Sequence, residues 1–165
     1  MQVLRMNLRK FLLLAFLFCG LSAKAANSPL FQYDGKYQGR LVVTTRALPD
    51  GHNVRRTIPI YTAEFKAAPH VAQGGLELIH GNFREHLSFR HAAFEYKRTQ
   101  NGSTVTLDGT AKIRPFSVSY MAYTPDGVGA AGFLEHISGG LKVVITYRTP
   151  SRIETQTYFL YPTGD

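Results

Sequence analysis

The chain has 165 residues, with 19 Lys and Arg against 11 Asp and Glu, a formal net charge of +8 and one cysteine. A single cysteine excludes an internal disulfide and a metal centre built from several thiolates. The length predicts one domain, and the absence of a clustered basic stripe argues against nucleic acid as a partner.

The first predicted element is a signal peptide over residues 1–25. It opens with basic residues, continues as an apolar run over residues 11–21, and ends with Ala23-Lys24-Ala25, which supplies the small residues that precede a cleavage site. The apolar run is shorter than the about 20 residues of a membrane-spanning helix. We therefore predict an exported protein, periplasmic or secreted, whose mature domain covers residues 26–165.

Removal of that segment changes the composition of the chain. Four basic residues are lost, so 15 Lys and Arg remain against 11 acids and the net charge falls to +4. Cys19 is also lost, which leaves a cysteine-free mature chain. The eleven acidic residues are scattered along it, and solvated positions are expected for all of them.

The first predicted strand covers residues 36–46. It is entered through Gly35-Lys36-Tyr37-Gln38-Gly39-Arg40-Leu41, which resembles the G-x-W opening of lipocalin-type barrels, with Tyr37 in the place of the tryptophan. The resemblance implies a meandering barrel and assigns no residue a role, because a shared fold does not establish a function.

The next predicted strands cover residues 55–66 and 74–81. Pro49-Asp50-Gly51 before them is a turn signal, since proline presets φ and glycine accepts a positive φ. Pro59 cannot donate to a sheet ladder, so its strand is predicted to lie at an edge or to carry a bulge.

Residues 78–98 combine three histidines, three arginines and several aromatic rings. Phe83, Leu87 and Phe89 are odd-numbered, whereas Phe94 and Tyr96 are even-numbered. We interpret this change of phase as a β-bulge at residues 91–93 within one long, bent strand. His86 and His91 do not share a face of an unbroken strand, and no metal-binding histidine spacing occurs, so no metal site is predicted.

Residues 103–114 show the clearest period of two. Val105, Leu107 and Ile113 alternate with Thr, Asp, Lys and Arg, which is typical of a half-buried antiparallel strand, and Asn101-Gly102 before it predicts a tight hairpin. Further strands fit residues 116–124, 141–149 and 153–161, and a short helix fits residues 130–138. Residues 127–132 match G-x-G-x-x-G, but the βαβ unit that a dinucleotide site requires is missing, so no cofactor is predicted.

About eight short strands predict an all-β fold, a single antiparallel β-barrel with a lipocalin-like meander, and a β-sandwich is the alternative. The polar outward face of residues 103–114 does not fit a lipid-facing surface, which favours a soluble barrel over an outer-membrane one.

The aromatic residues predict the binding site. A set assigned to inward faces forms a candidate pocket for an amphipathic or lipid-like small molecule: Tyr37, Phe116, Tyr120, Tyr147 and Phe159. Tyr161 is assigned to the same inward faces. A core filled by these rings is the other interpretation, since small barrels of about eight strands are often full.

Two alternative functions remain. The first is a protein-interaction or inhibitor module that meets an acidic envelope component through Arg55, Arg56, Arg84 and Arg90. The second is an envelope hydrolase using His136 and Ser138, although no G-x-S-x-G motif is present and no catalytic residue is assigned.

Overall fold

A computed structural model describes residues 26–164 of the chain. The predicted signal peptide, residues 1–25, lies outside the described residues. Within residues 26–164 no helix is long and apolar enough to cross a membrane.

The described chain is almost entirely β-structure. The ten strands are β1 (Gly35–Ala47), β2 (Asn53–Ala67), β3 (Gln73–His80), β4 (Phe83–Arg90), β5 (Ala93–Gln100), β6 (Ser103–Ile113), β7 (Ser117–Tyr123), β8 (Gly129–Ile137), β9 (Gly140–Thr149) and β10 (Arg152–Pro162). Each strand pairs antiparallel with its neighbours in sequence, and β1 pairs with β10 to close the barrel. The predicted all-β antiparallel barrel is therefore confirmed, with ten strands in place of about eight, and closure excludes the β-sandwich.

Residues 78–98 account for part of the difference in strand number. The predicted long strand with a bulge near His91 is wrong: β4 and β5 are separate strands joined by the two-residue turn His91-Ala92, in which His91 has a φ of 54°. Phe89 pairs with Phe94 across this turn. A two-residue hairpin shifts the inward positions from odd to even numbers as a one-residue bulge does, so the phase change fits both structures.

The predicted short helix over residues 130–138 is also wrong, because that segment is β8. Gly132 lies in the middle of β8, where a Cβ atom would collide with the Val144 carbonyl group. Tyr120 lies opposite Gly132 and donates a hydrogen bond to the Val144 carbonyl oxygen at 2.7 Å. The small residues of this segment thus serve close packing between strands.

Pro59 lies where β2 has a neighbour on one side only. Residues 53–60 of β2 pair with β1, whereas pairing with β3 begins at Thr62. The pairing with β1 also shifts register between Ile60 and Ala63. Both predicted consequences of the missing N–H group, an edge position and a nearby bulge, are present in this strand.

The two ends of the barrel differ. At the end where β1 begins, here called the plug end, a 3-10 turn at Phe31–Tyr33 closes the interior, with Leu30 and Tyr33 fully buried. At the other end, called the open end, the strands are joined by the turns at residues 48–52, 81–82, 101–102, 124–128 and 150–151. The turn at Asn101-Gly102 has positive φ at both residues, as its sequence predicts.

Candidate functional site

The predicted aromatic pocket is not assembled in the structure. Phe116 is 76% exposed in the turn between β6 and β7, and Phe159 lies on the outer face of β10, 5.1 Å from the Arg40 guanidinium carbon. Tyr161 is also exposed. The predicted inward positions of these three rings are wrong. In β10 apolar residues lie on both faces, and Tyr158 and Leu160 take the buried positions that follow Glu154 and Gln156, whereas Phe116 lies in a turn.

Tyr37, Tyr120 and Tyr147 are buried as predicted, but they lie at three different levels of the barrel. The Tyr37 hydroxyl donates to the Tyr33 carbonyl oxygen at the plug end, the Tyr120 hydroxyl donates to Val144, and the Tyr147 ring lies against Arg98 near the open end.

Between these levels the interior is filled. A set of side chains from different strands has no accessible surface: Leu41, Leu76, Leu87, Tyr96, Leu134, Ile145 and Tyr158. A side chain without accessible surface borders no space large enough for water, so the middle of the barrel leaves no room for a ligand at these positions.

The four arginines of the predicted interaction surface do not share one face. Arg56 lines the interior of the open end, whereas Arg55, next to it in β2, is exposed on the opposite face of the strand. Arg84 lies on the outside of β4 in an ion pair with Glu77 at 3.3 Å. Arg90 ends β4 at the plug end, about 20 Å from Arg84 at the rise of a β-strand.

A buried polar cluster lies in the open end instead. Its four members, all of them buried, are Glu85 of β4, Arg98 of β5, and Glu154 and Gln156 of β10. Glu154 Oε1 accepts hydrogen bonds from Arg98 Nη2 and Gln156 Nε2, both at 2.9 Å. The cluster contradicts the expectation that every acid is solvated.

Glu85 is the deepest member of the cluster. Its Oε1 accepts a hydrogen bond from the Tyr96 hydroxyl at 2.5 Å, and its Oε2 accepts one from the Tyr158 hydroxyl. Burial raises the pKa of the Glu85 carboxyl, although the two tyrosine hydroxyls and Arg98 oppose the shift. The Tyr158 hydroxyl also lies 3.2 Å from His80 Nε2. A continuous chain of hydrogen-bonding groups therefore joins His80 to Glu85.

Arg98 is held by two aromatic rings, one from the adjacent strand β4 and one from β9. Its guanidinium carbon lies 4.2 Å from the centre of the Phe83 ring and 4.4 Å from the centre of the Tyr147 ring. Such cation–π contacts fix the guanidinium in place and leave its edge for hydrogen bonding. Nη2 binds Glu154, whereas Nη1 is 4.0 Å from Glu85 and has no hydrogen-bond partner in the described part of the chain.

A cavity of about 210 Å³ opens beside this cluster. It is lined by Val43, Arg56, Ile58, His80, Phe83, Arg98, Gln100, Arg152, Glu154 and Gln156. Burial and, after it, the nearby Arg98 charge lower the pKa of His80 to about 4, so His80 is neutral at pH 7. Three arginines then face a single glutamate, and the cavity wall carries a net positive charge.

The sequence contains a signal for this cluster, which the prediction that every acid is solvated overlooked. Glu85 stands between Phe83 and Leu87 at inward positions, and Arg98 continues the inward row of Phe94 and Tyr96. A charged residue at an inward position of an alternating strand is a stronger indicator than a histidine on an outer face, because burying a charge requires a partner.

The proposed hydrolase residues lie at the plug end. The His136 ring is exposed to solvent and stacks on Tyr33 with ring centres 4.6 Å apart, and Ser138 lies in the turn between β8 and β9. Neither residue contributes to the cavity. No group of three or more His, Cys, Asp or Glu residues suited to a metal ion occurs within residues 26–164.

Comparison with known proteins gives no match to a family model, a curated protein or a solved structure.

Proposed function

We propose that the chain is an exported, soluble binding protein for a small amphipathic molecule with an anionic group. The anionic group binds at the open end of the barrel, next to Arg98. The observation that carries the proposal is the composition of the cavity wall, in which Arg56, Arg98 and Arg152 face only Glu154.

The charge distribution supports an anionic ligand. Arg56 and Arg152 are exposed at the rim, where they attract an anion from solution, while Arg98 is fixed inside by Phe83 and Tyr147. Arginine is well suited to this role because its planar edge of N–H groups matches carboxylate and phosphate oxygens.

The remaining lining supports a short apolar part. Val43, Ile58 and Phe83 form the apolar section of the wall. At about 210 Å³ the cavity is smaller than the roughly 300–1,000 Å³ of a drug-sized site. A long lipid chain does not fit at the filled middle of the barrel, so a long-chain ligand would have to extend outward from the open end.

The test combines extraction with a thermal shift. Protein purified from its natural host is extracted and the extract is examined by mass spectrometry, where we expect a small organic anion in stoichiometric amount. Acetate, butyrate, octanoate and phosphate are then added separately to the emptied protein, and at least one of them should raise the unfolding temperature, since a ligand that binds only the folded state stabilises it.

A matched pair of variants locates the site. The double variant Arg56→Gln/Arg152→Gln removes the exposed rim charges and should abolish the thermal shift at low salt. Arg40→Gln is the control, because Arg40 is also exposed but lies on the outside of the barrel and does not line the cavity. A clean extract together with no shift from any anion would overturn the proposal, as would an unchanged shift in the double variant.

The two alternative functions have less support. An interaction module based on Arg55, Arg56, Arg84 and Arg90 would need those residues on one surface, and they lie at both ends of the barrel. A hydrolase based on His136 would need a substrate site at the plug end, where Leu30 and Tyr33 close the interior.

A further inference from the structure

We infer that one edge of β2 binds an extended acidic segment of a partner protein, which joins the barrel as an additional strand. This edge, called the free edge, is formed by residues 53–60. Only Arg55 and Arg56 of the predicted four-arginine surface belong to it. The partner segment is a ligand of a different class from the small anion of the cavity, and its binding does not require that anion.

The free edge has backbone groups without a strand partner. Residues 53–60 pair with β1 on one side, whereas on the other side pairing with β3 begins only at Thr62. No loop or turn within residues 26–164 supplies a backbone hydrogen bond there. In an antiparallel ladder every second residue directs its N–H and C=O groups away from the partner strand. Half of these residues therefore present both groups to the free edge, as in the sheets to which an extended peptide adds a strand.

The free edge is exposed to solvent. Every residue from Asn53 to Thr57 is exposed, and so is Pro59. Val54 is 61% exposed, and Tyr61, directly after the edge, is 79% exposed. A strand that pairs with this edge therefore meets residues that are already accessible in the folded chain.

The charge around the free edge selects an acidic partner. Arg55 and Arg56 lie on the edge itself, and Arg46 of β1 lies opposite Asn53. The paired segments, residues 41–47 and 53–60, contain these three arginines and no Asp or Glu. Two copies joined along this edge would bring their arginines together, and like charges on neighbouring strands are destabilising. The partner that fits is therefore an acidic segment of another protein and not a second copy.

The order of side chains along the edge specifies the partner further. Arg55 and Arg56 are adjacent and point to opposite faces of β2, so a strand that meets both needs two adjacent acidic residues. Arg56 lines the cavity of the open end together with Ile58 and Arg152. The acidic residue beside Arg56 thus faces two arginines, and an apolar residue two positions away can contact Ile58.

Pro59 limits the pairing to one part of the edge. Proline has no N–H group, so the free donors lie within residues 53–58. A proline and charged residues on an exposed edge also protect it from pairing with apolar strands. The same residues that protect this edge from aggregation leave an acidic strand as the compatible partner.

The test uses a capped hexapeptide, acetyl-TVEEVT-amide. Its sequence reads the same in both directions, so parallel and antiparallel pairing present the same side chains, and threonine and valine favour the extended conformation. Calorimetry with the purified protein should show saturable binding with a Kd below about 1 mM. A peptide with lysine in place of both glutamates should bind at least about tenfold more weakly.

A second probe distinguishes strand pairing from charge attraction. The same peptide N-methylated at both glutamates keeps its charges but lacks two adjacent N–H groups, one of which faces β2 in either orientation. It should bind at least about tenfold more weakly, because a backbone hydrogen bond is lost. In hydrogen exchange followed by NMR, the unmodified peptide should slow the exchange of alternate amides within residues 53–58. Equal binding of the methylated peptide would overturn the inference.

Charge reversal locates the binding. In Arg55→Glu/Arg56→Glu, which changes two exposed residues, the preference should reverse, so that the lysine peptide binds more tightly than the glutamate peptide. Lys112→Glu/Arg114→Glu is the control. It changes the net charge by the same amount at two exposed residues at the end of β6 and should keep the wild-type preference.

The outcomes separate this inference from the proposed function. Absence of saturable binding of the glutamate peptide, or an unreversed preference in the double variant, overturns the inference. The thermal shift by small anions is measured without any peptide, so the proposed function stands or fails on that result. A dimer in which the same amides of β2 are protected without peptide would identify a second copy as the occupant and would also overturn the inference.

Discussion

Glu85 shows how a single buried carboxylate can organise one end of a barrel. Three partners approach it: the hydroxyls of Tyr96 and Tyr158, and at 4.0 Å the Arg98 guanidinium. Both tyrosines are fully buried, so no solvent replaces a lost acceptor. The loss of folding stability on removal of Glu85 therefore depends on the hydrogen-bonding groups that are left without a partner.

The variant Glu85→Leu should lower the free energy of unfolding by about 3 kcal/mol or more, because two hydroxyls and one guanidinium lose a partner. Glu85→Gln keeps an oxygen acceptor at the same place and should cost distinctly less. Urea unfolding followed by circular dichroism measures both values.

Glu95→Gln on the neighbouring strand is the control. The Glu95 carboxylate is partly exposed and bound to Lys97 at 2.9 Å, so this variant should change stability by less than about 1 kcal/mol. Equal losses for Glu85→Leu and Glu85→Gln would contradict this explanation.

His80 should make stability depend on pH in the acidic range. Its pKa is lowered from 6.5 to about 4 in the folded protein, mainly by burial, so the unfolded chain binds a proton more readily. The contribution of neutral His80 is present above pH 6.5 and is lost as the pH falls through about 4. Glu85 acts with the opposite sign, since its raised pKa makes stability fall as the pH rises above 4.5.

A comparison of wild type with His80→Gln separates the two groups, because Glu85 is common to both proteins. Between about pH 7.5 and about pH 4.5 the unfolding temperature of wild type should fall further than that of the variant. Parallel curves would show that His80 does not titrate differently in the folded state, and the NMR titration of its imidazole checks the pKa directly.

At the scale of elements, the N-terminal turn at Phe31–Tyr33 closes one end of the barrel through apolar contacts and a few hydrogen bonds. Ser28 donates its N–H to Pro69, Asp34 accepts from the Ala67 N–H, and Tyr37 donates to Tyr33. The Tyr33 ring is fully buried, but its hydroxyl has no hydrogen-bond partner in the described structure.

This difference between two neighbouring tyrosines gives a matched test. Tyr37→Phe loses the 2.7 Å hydrogen bond to the Tyr33 carbonyl and should cost about 1 kcal/mol of unfolding free energy. Tyr33→Phe removes an unpaired buried hydroxyl and should be neutral or stabilising. Chemical denaturation of both variants gives the comparison, and a larger loss for Tyr33→Phe than for Tyr37→Phe would show that the Tyr33 hydroxyl has a partner.

The strands that could be predicted from the sequence are those with one solvent-exposed face. In β6 and β9 the alternation of apolar and polar residues gives both the strand and its orientation. In β8 small residues such as Ala130, Ala131 and Gly132 weaken the alternation, so its sequence fits a helix as well. The turn at residues 91–92 lacks glycine and proline, and only the change of phase at Phe94 indicates it.

At the scale of the whole molecule, the sequence predicts that the strands form a closed barrel, but it does not predict which residues of β1 and β10 pair. That pairing joins residues such as Val43 and Gln156, which lie far apart in sequence. The same holds for the candidate site. Arg98 and Glu154 are 56 residues apart and meet only because the barrel closes. The aromatic residues could be counted from sequence, whereas their distribution over three levels depends on the register of all ten strands.

The confinement of Arg98 between Phe83 and Tyr147 has a consequence for the entropy of binding. A free arginine side chain carries about 2 kcal/mol of rotamer entropy that a ligand must otherwise suppress when it binds. Here the side chain is ordered when the barrel folds. Under the function that we propose, the rings that order Arg98 therefore contribute to affinity through the conformational freedom that they remove before a ligand arrives.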